Sequence, residues 1–283
     1  MIPKAVREWL AQKHFGEVIS QKPVGGGCIN NGMVLKTSTG ESFFLKINPT
    51  APADMFEREA QGLDALNIPG GPTIPISYLH SVDFLLMEDL APASRSAQYW
   101  EDFGRSLATL HNQRSTQYGY EADNYIGSTP QPNPWTEDGF EFFSQSRLLY
   151  MSNLASNKGL LSQPDREKIL SLSSRLRSLV PEQPPSLLHG DLWSGNAMTD
   201  HNGDPAIIDP AVHYGWAEAE LAMTSLFGSF PSRFYHAYQE IHPLEPGYGD
   251  RFPFYNLYHL LNHLILFGRG YLSQVQSILR RAL

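Results

Sequence analysis

The 283-residue sequence predicts a mixed α+β protein of two lobes. We expect an antiparallel β-sheet amino lobe with one key helix, followed by a mainly helical carboxy lobe. Residues 17–48 contain three short β-rich runs separated by glycine-containing turn signals, which is typical of an antiparallel meander. Beyond residue 97 the apolar residues recur mainly at helical spacing. The stretch APASRSA at 91–97 separates the two patterns, so the expected lobes are 1–90 and 91–283.

The amino lobe should open with an amphipathic helix over residues 2–14, in which Val6, Trp9 and Leu10 share one face. The runs EVISQKP, NGMVLKTS and ESFFLKIN are then three strands. The segment ADMFEREAQGLDALN has one apolar stripe and predicts a helix, with Asp54 placed to cap its start. Two more strands, ISYLHSV and FLLMEDL, complete the predicted sheet.

In the carboxy lobe the clearest predicted helix is YWEDFGRSLATLHNQ. Ser162 and Asp165 form a predicted capping box before the helix REKILSLSSRLRSLV. The apolar tract LYHLLNHLILFG at 257–268 contains two histidines and an asparagine and is too short to span a bilayer, so it predicts a buried helix. Residues 116–138 show no sustained period and predict a long loop held by tertiary contacts.

The composition excludes several classes of protein. The net charge is −8 and no basic run stands out, so we expect no nucleic-acid partner. The single cysteine, Cys28, excludes an internal disulfide framework and suits a reducing compartment. The first residues lack a signal-peptide core, and no membrane association is expected. These features predict a cytoplasmic monomer.

The segment LLHGDLWSGNAMTDHNGDPAIIDPAV at 187–212 holds the most informative polar spacing. Asp191 and Asn196 lie five positions apart, and Asp209 follows Asn196 by thirteen, across turn-forming residues. This pattern predicts a catalytic loop followed by a β-hairpin. A loop carboxylate can accept a proton from a hydroxyl, while an Asn oxygen and a second carboxylate are hard ligands suited to Mg²⁺. Taken singly, each residue is better explained as a turn or cap residue.

Upstream segments supply the other parts that phosphoryl transfer from ATP requires. The glycine-rich turn VGGGCINNG places Gly25, Gly26, Gly27 and Cys28 between two predicted strands, where backbone amides can approach phosphates. Without a Walker pattern, a purely structural turn is an equal alternative.

Lys46 lies on the third predicted strand, and Glu59 lies on the helix that follows it. A lysine that grips the phosphates, held by a helix glutamate, is typical of kinase amino lobes. Glu57 is a rival for the pairing, and two solvent-exposed charges are the alternative. The stretch MEDL, which comprises Met87, Glu88, Asp89 and Leu90, could bind adenine through its backbone or merely end an edge strand.

The ordered set GGGCINNG, FFLKIN, FEREA, LLMEDL, LLHGDLWSGN and IIDPAV resembles the fructosamine kinase (ketosamine 3-kinase) family, a branch of the aminoglycoside-phosphotransferase and protein-kinase-like superfold. The similarity extends to GSTPQPNPW, FFSQSRL, YGWAEAELAM and LYHLLNHLILFG, and it covers nearly the whole chain. It implies a bilobal protein-kinase-like fold and ATP-dependent phosphorylation of the 3-hydroxyl of a ketosamine, which makes the adduct prone to decompose and leads to deglycation.

The resemblance also implies roles for single residues. Asp191 would be the catalytic base, Asn196 and Asp209 would hold Mg²⁺, and Lys46 with Glu59 would position the ATP phosphates. Candidate substrate contacts or pocket walls are His189, Trp193, Tyr214 and Trp216. Glu218 and Glu220 are placed to stabilise the catalytic loop.

Three features differ from related kinases. Gly190 precedes Asp191 where protein kinases have Arg, so control by activation-loop phosphorylation is not expected. Pro210 and Ala211 follow Asp209 where protein kinases have Phe and Gly, which argues against an in/out switch at that site. Trp216 stands where the family resemblance leads us to expect His. Cys28 in the glycine turn suggests a redox-linked dimer as an alternative to the monomer. Another small-molecule kinase of the superfold, or an inactive nucleotide-binding protein, are the alternative functions.

Overall fold

The computed structural model describes residues 2–25 and 31–281. Its amino-terminal part is an antiparallel sheet with the strand order β1-β2-β3-β5-β4. These strands are β1 (Val18–Val24), β2 (Asn31–Thr37), β3 (Ser42–Ile47), β4 (Ser77–His80) and β5 (Phe84–Glu88). Helix α1 (Lys4–Gln12) precedes the sheet, and helix α2 (Met55–Leu66) lies between β3 and β4 in the chain. The predicted meander, its helix and the two further strands are confirmed.

The two faces of the sheet have different partners. Phe43 and Leu45 of β3 pack with α1 in one apolar cluster. Because successive side chains of a strand point to opposite faces, Lys46 lies on the other face. Leu85 of β5 belongs to the larger core, which the sheet shares with α2 and the helical part of the chain. The alternation therefore aims Lys46 at the cleft between the two parts.

The rest of the chain is mainly helical, as predicted. Its α-helices are α3 (Tyr99–His111), α4 (Gly139–Phe142), α5 (Tyr150–Asn157), α6 (Gln163–Ser174), α7 (Leu176–Leu179), α8 (Ala217–Met223), α9 (Ser232–Gln239), α10 (Tyr248–Phe267) and α11 (Leu272–Arg281). A π-helical segment, Phe143–Leu149, joins α4 to α5, and a 3₁₀ turn, Arg269–Tyr271, precedes α11. The boundary after residue 90 lies in the irregular segment between β5 and α3 and stays a prediction.

Three short strand pairs carry the loops of this part. They are β6 (Asn124–Ile126) with β7 (Thr129–Gln131), β8 (Ser186–Leu188) with β11 (His213–Gly215), and β9 (Ala197–Thr199) with β10 (Pro205–Ile207). The β9–β10 pair is the hairpin that we predicted between Asn196 and Asp209. The predicted long loop at 116–138 contains the β6–β7 pair and is otherwise irregular.

The predicted capping box is confirmed, whereas the predicted cap at Asp54 is wrong, and the helix predicted over residues 166–180 is interrupted at Arg175. Ser162 and Asp165 form the capping box of α6. Asp54 does stand at the start of α2, but its side chain makes no capping hydrogen bond. Its carboxylate instead accepts a hydrogen bond from the Tyr125 hydroxyl at 2.6 Å and pairs with Arg58 at 3.3 Å. In the chain as described, no helix combines the length and apolarity that crossing a membrane requires.

Candidate active site

The buried Lys46 is the centre of an ion cluster that joins the two parts of the fold. Its ammonium group contacts carboxylate oxygens of both Glu59 and Asp209. Burial alone would lower the pKa of Lys46, but the charges of Asp209 and Glu59 outweigh it and hold the pKa above its usual value. The lysine therefore remains a cation in the cleft. The rival residue Glu57 is exposed and bonds with Gln61 instead.

A close helix approach brings these charges together. At Gly62 of α2, an added Cβ would lie 3.2 Å from Cγ2 of Val212 and 3.3 Å from Cγ of Pro210. Glycine inside a helix costs roughly 0.5–1 kcal/mol relative to alanine, but here it lets α2 pack against the segment that follows Asp209. Glu59 lies three residues before Gly62 and thus on the same side of the helix. The packing at Gly62 therefore places the Glu59 carboxylate beside Lys46.

The loop between β8 and β9 carries Asp191 and Asn196. The side-chain amide of Asn196 donates to the backbone oxygen of Asp191 at 2.8 Å and lies 3.4 Å from Oδ2 of the same residue. Burial raises the pKa of the Asp191 carboxyl well above its usual range, and the charge of Asp209 raises it further. Asp191 is thus an unusually basic carboxylate next to a second one.

The oxygen atoms of Asn196 and Asp209 form a donor set suited to Mg²⁺. Nδ2 of Asn196 bonds within the loop, and among residues 2–25 and 31–281 no hydrogen bond to its Oδ1 is found, which leaves this oxygen for a cation. Asp209 adopts a φ of 60°, a left-handed conformation that Asp tolerates better than most residues, and its side chain is 43% exposed. Mg²⁺ is commonly bound by one or two protein carboxylates together with phosphate oxygens. Across residues 2–25 and 31–281, no group of three or more His, Cys, Asp or Glu could hold a metal ion.

His189 fixes the backbone of the loop through both ring nitrogens. Its Nε2 donates to the backbone oxygen of Ile208 at 2.8 Å, since a carbonyl can only accept. Its Nδ1 is then unprotonated and accepts the backbone N–H of Asp191 at 3.2 Å. Burial lowers the pKa of His189, which favours this neutral form. The ring ties Asp191 to the strand end before Asp209 and is fully buried, so its position favours a positioning role over a substrate contact.

Glu220 of α8 binds the same loop through hydrogen bonds to its backbone. Its carboxylate accepts the backbone N–H groups of Gly190 at 2.6 Å and of His189 at 3.0 Å. Nε2 of His111 bonds the same carboxylate at 2.9 Å, and the other ring nitrogen meets the Tyr238 hydroxyl at 2.7 Å. Burial would raise the pKa of Glu220, but the hydrogen bond and charge of His111 outweigh it, and the pKa lies below its usual value.

Glu218 does not contact this loop. It binds Arg251 through two hydrogen bonds of 2.6 and 2.8 Å and accepts the Tyr255 hydroxyl at 3.1 Å. The expectation that Glu218 stabilises the loop is therefore wrong, whereas Glu220 does bind it.

Gly190 is required by the backbone geometry of the loop. Its φ is 86°, and an added Cβ would lie 2.1 Å from the backbone oxygen of Ala211. No L-residue with a side chain fits there without movement of one segment. The residue before Asp191 is therefore a glycine, where protein kinases have arginine, because the backbone at this position leaves no room for a side chain.

The described residues of the predicted ATP-contacting segments lie at the ends of β1 and β5. Gly25 is exposed at the end of β1, and Gly26, Gly27 and Cys28 lie outside the described residues. At the end of β5, Met87 and Leu90 are buried, while Glu88 and Asp89 are half-buried. The Glu88 backbone N–H donates to Ile76, and the Asp89 side chain accepts from the Ala91 backbone at 3.1 Å.

The three predicted aromatic residues lie in different environments. Trp193 is half-buried on the catalytic loop, and its ring meets that of Phe227. Tyr214 lies on β11 and packs against Trp135. Trp216 is only 2% exposed and packs among core aromatic rings, including Phe143. Its burial favours a packing role, and Trp216 has no part in the acceptor site proposed below.

A buried amide network that our sequence reasoning did not assign holds the chain just after Asp209. Gln131 donates to the backbone oxygen of Ala211 at 3.0 Å, and Asn124 donates to that of Val212 at 2.7 Å. The two side chains also bond each other at 2.7 Å. The sequence motif PQPN at 130–133 contains Gln131, but the sequence alone does not indicate which groups its polar side chains bind.

Comparisons with known proteins cover nearly the whole chain. The model of the family described as fructosamine kinase matches residues 2–283. A probable ketoamine kinase of Synechocystis is 42% identical over 269 residues, which are 93% of this chain and 90% of that protein. The chloroplastic protein-ribulosamine 3-kinase of Arabidopsis thaliana is 39% identical over 288 residues, which are 97% of this chain and 86% of that protein.

A solved structure shows the same fold. The crystal structure of a fructosamine-3-kinase candidate from Thermobifida fusca superposes with a TM-score of 0.89 at 31% identity and covers 99% of both chains. The expected α+β, protein-kinase-like fold is confirmed. By the family model and by these relatives, the chain belongs to the fructosamine kinase family and is an ATP-dependent kinase.

Proposed function

We propose that this kinase phosphorylates the 3-hydroxyl of ketosamines, the fructosamine- and ribulosamine-type adducts of a sugar with an amine, whether free or carried on a protein lysine. The observation that carries the phosphoryl-transfer chemistry is the convergence of Lys46, Glu59 and Asp209 with the Asp191–Asn196 loop. Relatives named ketoamine kinase and protein-ribulosamine 3-kinase support the acceptor class.

In the proposed reaction Asp191 is the catalytic base. It accepts the proton of the 3-hydroxyl as that oxygen attacks the γ-phosphorus of ATP, and the bond from the γ-phosphorus to the oxygen that leaves with ADP breaks. A carboxylate whose pKa is raised by burial is a better proton acceptor than an exposed one. Asn196 and His189 hold the Asp191 backbone in place, which contributes the orientation that such a transfer needs.

Lys46 supplies positive charge for the ATP phosphates, and Glu59 fixes its direction. The glycine turn that includes Gly25 and the strand end at 87–90 would hold the phosphates and the adenine. Asn196 and Asp209 would hold Mg²⁺, which neutralises phosphate charge when it is bound. In this arrangement the buried residues orient the reactants, and positioning with charge neutralisation supplies most of the rate.

The proposed product is a 3-phosphorylated ketosamine that decomposes and so frees the amine, which would make the protein a deglycation enzyme. A cytoplasmic location and a monomeric state remain predictions of the sequence, with a dimer linked through Cys28 as the alternative state. Cys28 lies outside the described residues, so the dimer stays a sequence-based hypothesis.

Release of ADP from Mg-ATP tests the proposal. We expect ADP with fructosamine, ribulosamine or erythrulosamine as acceptor, and none with the parent sugar or the amine alone. Asp191→Asn should lower turnover by about 10²-fold or more while ATP affinity stays within about twofold. ATP binding without ADP release on any ketosamine would contradict the proposed function. Near-normal turnover of the variant would remove Asp191 from the role of base.

A further inference from the structure

A row of aromatic rings leads away from the catalytic loop, and the roles proposed above use only its first member. The Trp193 and Phe227 rings meet edge to face with centroids 6.0 Å apart. Phe227 lies 4.5 Å from the His263 ring, which in turn lies 5.4 Å from Phe267 and 5.1 Å from Tyr271. We call these five residues the aromatic row.

The aromatic row is a surface feature and not part of the core. Phe267 is 48% exposed, and the other four residues are half-buried. Core rings of the same lobe, such as Phe234, have no exposed surface. A group of partly exposed aromatic side chains that continues a catalytic cleft is typical of a ligand-binding wall.

One hydrogen bond, together with the place of Trp193 in the chain, joins the aromatic row to the catalytic loop. The Ser194 hydroxyl donates to the backbone oxygen of Phe227 at 2.7 Å, which ties the segment between α8 and α9 to the loop. Trp193 follows the proposed base Asp191 by two residues. His263 and Phe267 lie on α10, whose buried face anchors it in the core. The aromatic row is therefore a preformed wall that starts on the catalytic loop, two residues after the proposed base.

His263 gives this wall one hydrogen-bond acceptor. Its Nδ1 donates to the backbone oxygen of His259 at 2.9 Å, so Nδ1 carries the ring proton. Burial lowers the pKa of His263, which favours the neutral ring. The lone pair of Nε2 is then available, and no hydrogen bond to Nε2 is found among residues 2–25 and 31–281. Electron-rich ring faces next to a lone pair favour a ligand that is both a cation and an N–H donor.

We propose that the aromatic row is the subsite for the secondary ammonium group of the acceptor, with Phe227 facing the cation and Nε2 of His263 accepting its N–H. The inference rests on the proposed function and deepens it. In a ketosamine the nitrogen is bonded to carbon 1, while the proposed reacting hydroxyl is on carbon 3. The cation must therefore lie within a few bond lengths of the reacting oxygen, where the aromatic row begins. The substituent on the nitrogen, including a lysine chain, would extend past the exposed ring of Phe267.

The test compares a ketosamine with its neutral analogue, in which an ether oxygen replaces the nitrogen. Two variants alter the aromatic row: Phe227→Leu removes the ring face, and His263→Phe keeps a ring but removes the acceptor. Trp135→Leu is the matched control, because Trp135 is an exposed aromatic residue that packs on Tyr214 outside the aromatic row. The Michaelis constants for acceptor and ATP and the turnover number are measured for each protein, and an inhibition constant is measured if the analogue does not react.

We expect both row variants to raise the KM for the ketosamine by about three- to thirtyfold. Phe227→Leu loses a cation–π contact, and His263→Phe loses the acceptor of a hydrogen bond from a charged donor. The KM for ATP, the kcat value and the constant for the ether should change by less than about twofold. The control should leave every constant near its original value. If the row variants raised the constants for the ketosamine and the ether equally, or raised neither, the proposed ammonium subsite would be wrong and the proposed function would stand. No phosphorylation of any ketosamine by the unaltered protein would overturn the proposed function as well.

Discussion

Replacing Glu220 by Gln tests whether one buried carboxylate holds the catalytic loop. The two oxygens of Glu220 accept the backbone N–H groups of Gly190 and His189, and Nε2 of His111 bonds the same carboxylate. Gln has nearly the same shape but a single acceptor oxygen. Whichever way its amide is turned, its own N–H groups face at least one of these donors, and that donor loses its acceptor.

The expected cost follows from this loss. A buried donor without a partner costs about 1–3 kcal/mol, and the remaining hydrogen bonds lose the assistance of the charge, which is worth about 1 kcal/mol. We therefore expect the free energy of unfolding of Glu220→Gln to fall by about 2–4 kcal/mol. Because the loop carries Asp191, a shift of about 1 Å should also lower kcat by about 10²-fold.

Glu218→Gln is the matched control for this experiment. Glu218 lies on the same helix, is equally buried and pairs with Arg251, but it does not touch the loop. Urea unfolding and steady-state kinetics are measured for both variants. The control should lose stability while its kcat stays within about twofold. Equal losses of kcat in the two variants, or a normal kcat in Glu220→Gln, would refute the proposed support of the loop.

Three further predictions concern Gly190, Lys46 and His259. Gly190→Ala should lower the free energy of unfolding by more than about 1–2 kcal/mol, because its Cβ would lie 2.1 Å from the Ala211 oxygen; a normal melting temperature would contradict this. Lys46→Met leaves two carboxylates without their cation and should raise the KM for ATP by at least about tenfold. An unchanged KM for ATP would show that Lys46 does not bind the phosphates. Burial lowers the pKa of His259 in the folded protein to about 3. In the unfolded chain the pKa is near 6.5, so below that pH the unfolded chain binds one proton more at His259 than the folded protein does. His259 should therefore cost stability as the pH falls from 6.5, by about 1.4 kcal/mol per pH unit, and His259→Gln should make the decline between pH 7 and pH 5 shallower in urea titrations.

The sheet and the face of Lys46 could be predicted from the sequence because they depend on local patterns. Strand alternation separates Phe43 and Leu45 from Lys46 within a few residues. Which of Glu57 and Glu59 pairs with Lys46 could not be predicted from the local sequence pattern. It depends on how α2 packs, and the close approach at Gly62 becomes visible only when the segment after Asp209 is in place.

Side chains with several available partners could not be assigned from the sequence. Asp54 has the capping position, but its carboxylate accepts a hydrogen bond from the hydroxyl of Tyr125, which lies on β6, far away in the chain. Trp216 follows a strand near the catalytic loop, and only the packing of the helical lobe shows that it is buried. The π-helical segment that follows α4 has no sequence period by which it could have been predicted. In each case the deciding contact joins residues far apart in the chain.

The central claim is most directly tested by locating the phosphate on the product. Phosphorus and carbon NMR of fructosamine incubated with the protein and Mg-ATP should show one new phosphoester, coupled to carbon 3 of the sugar. The same mixture with the Asp191→Asn variant, incubated for the same time, should show no phosphoester. A phosphoester on another carbon, or ATP consumption with no phosphorylated sugar, would contradict the proposal that the protein is a ketosamine 3-kinase.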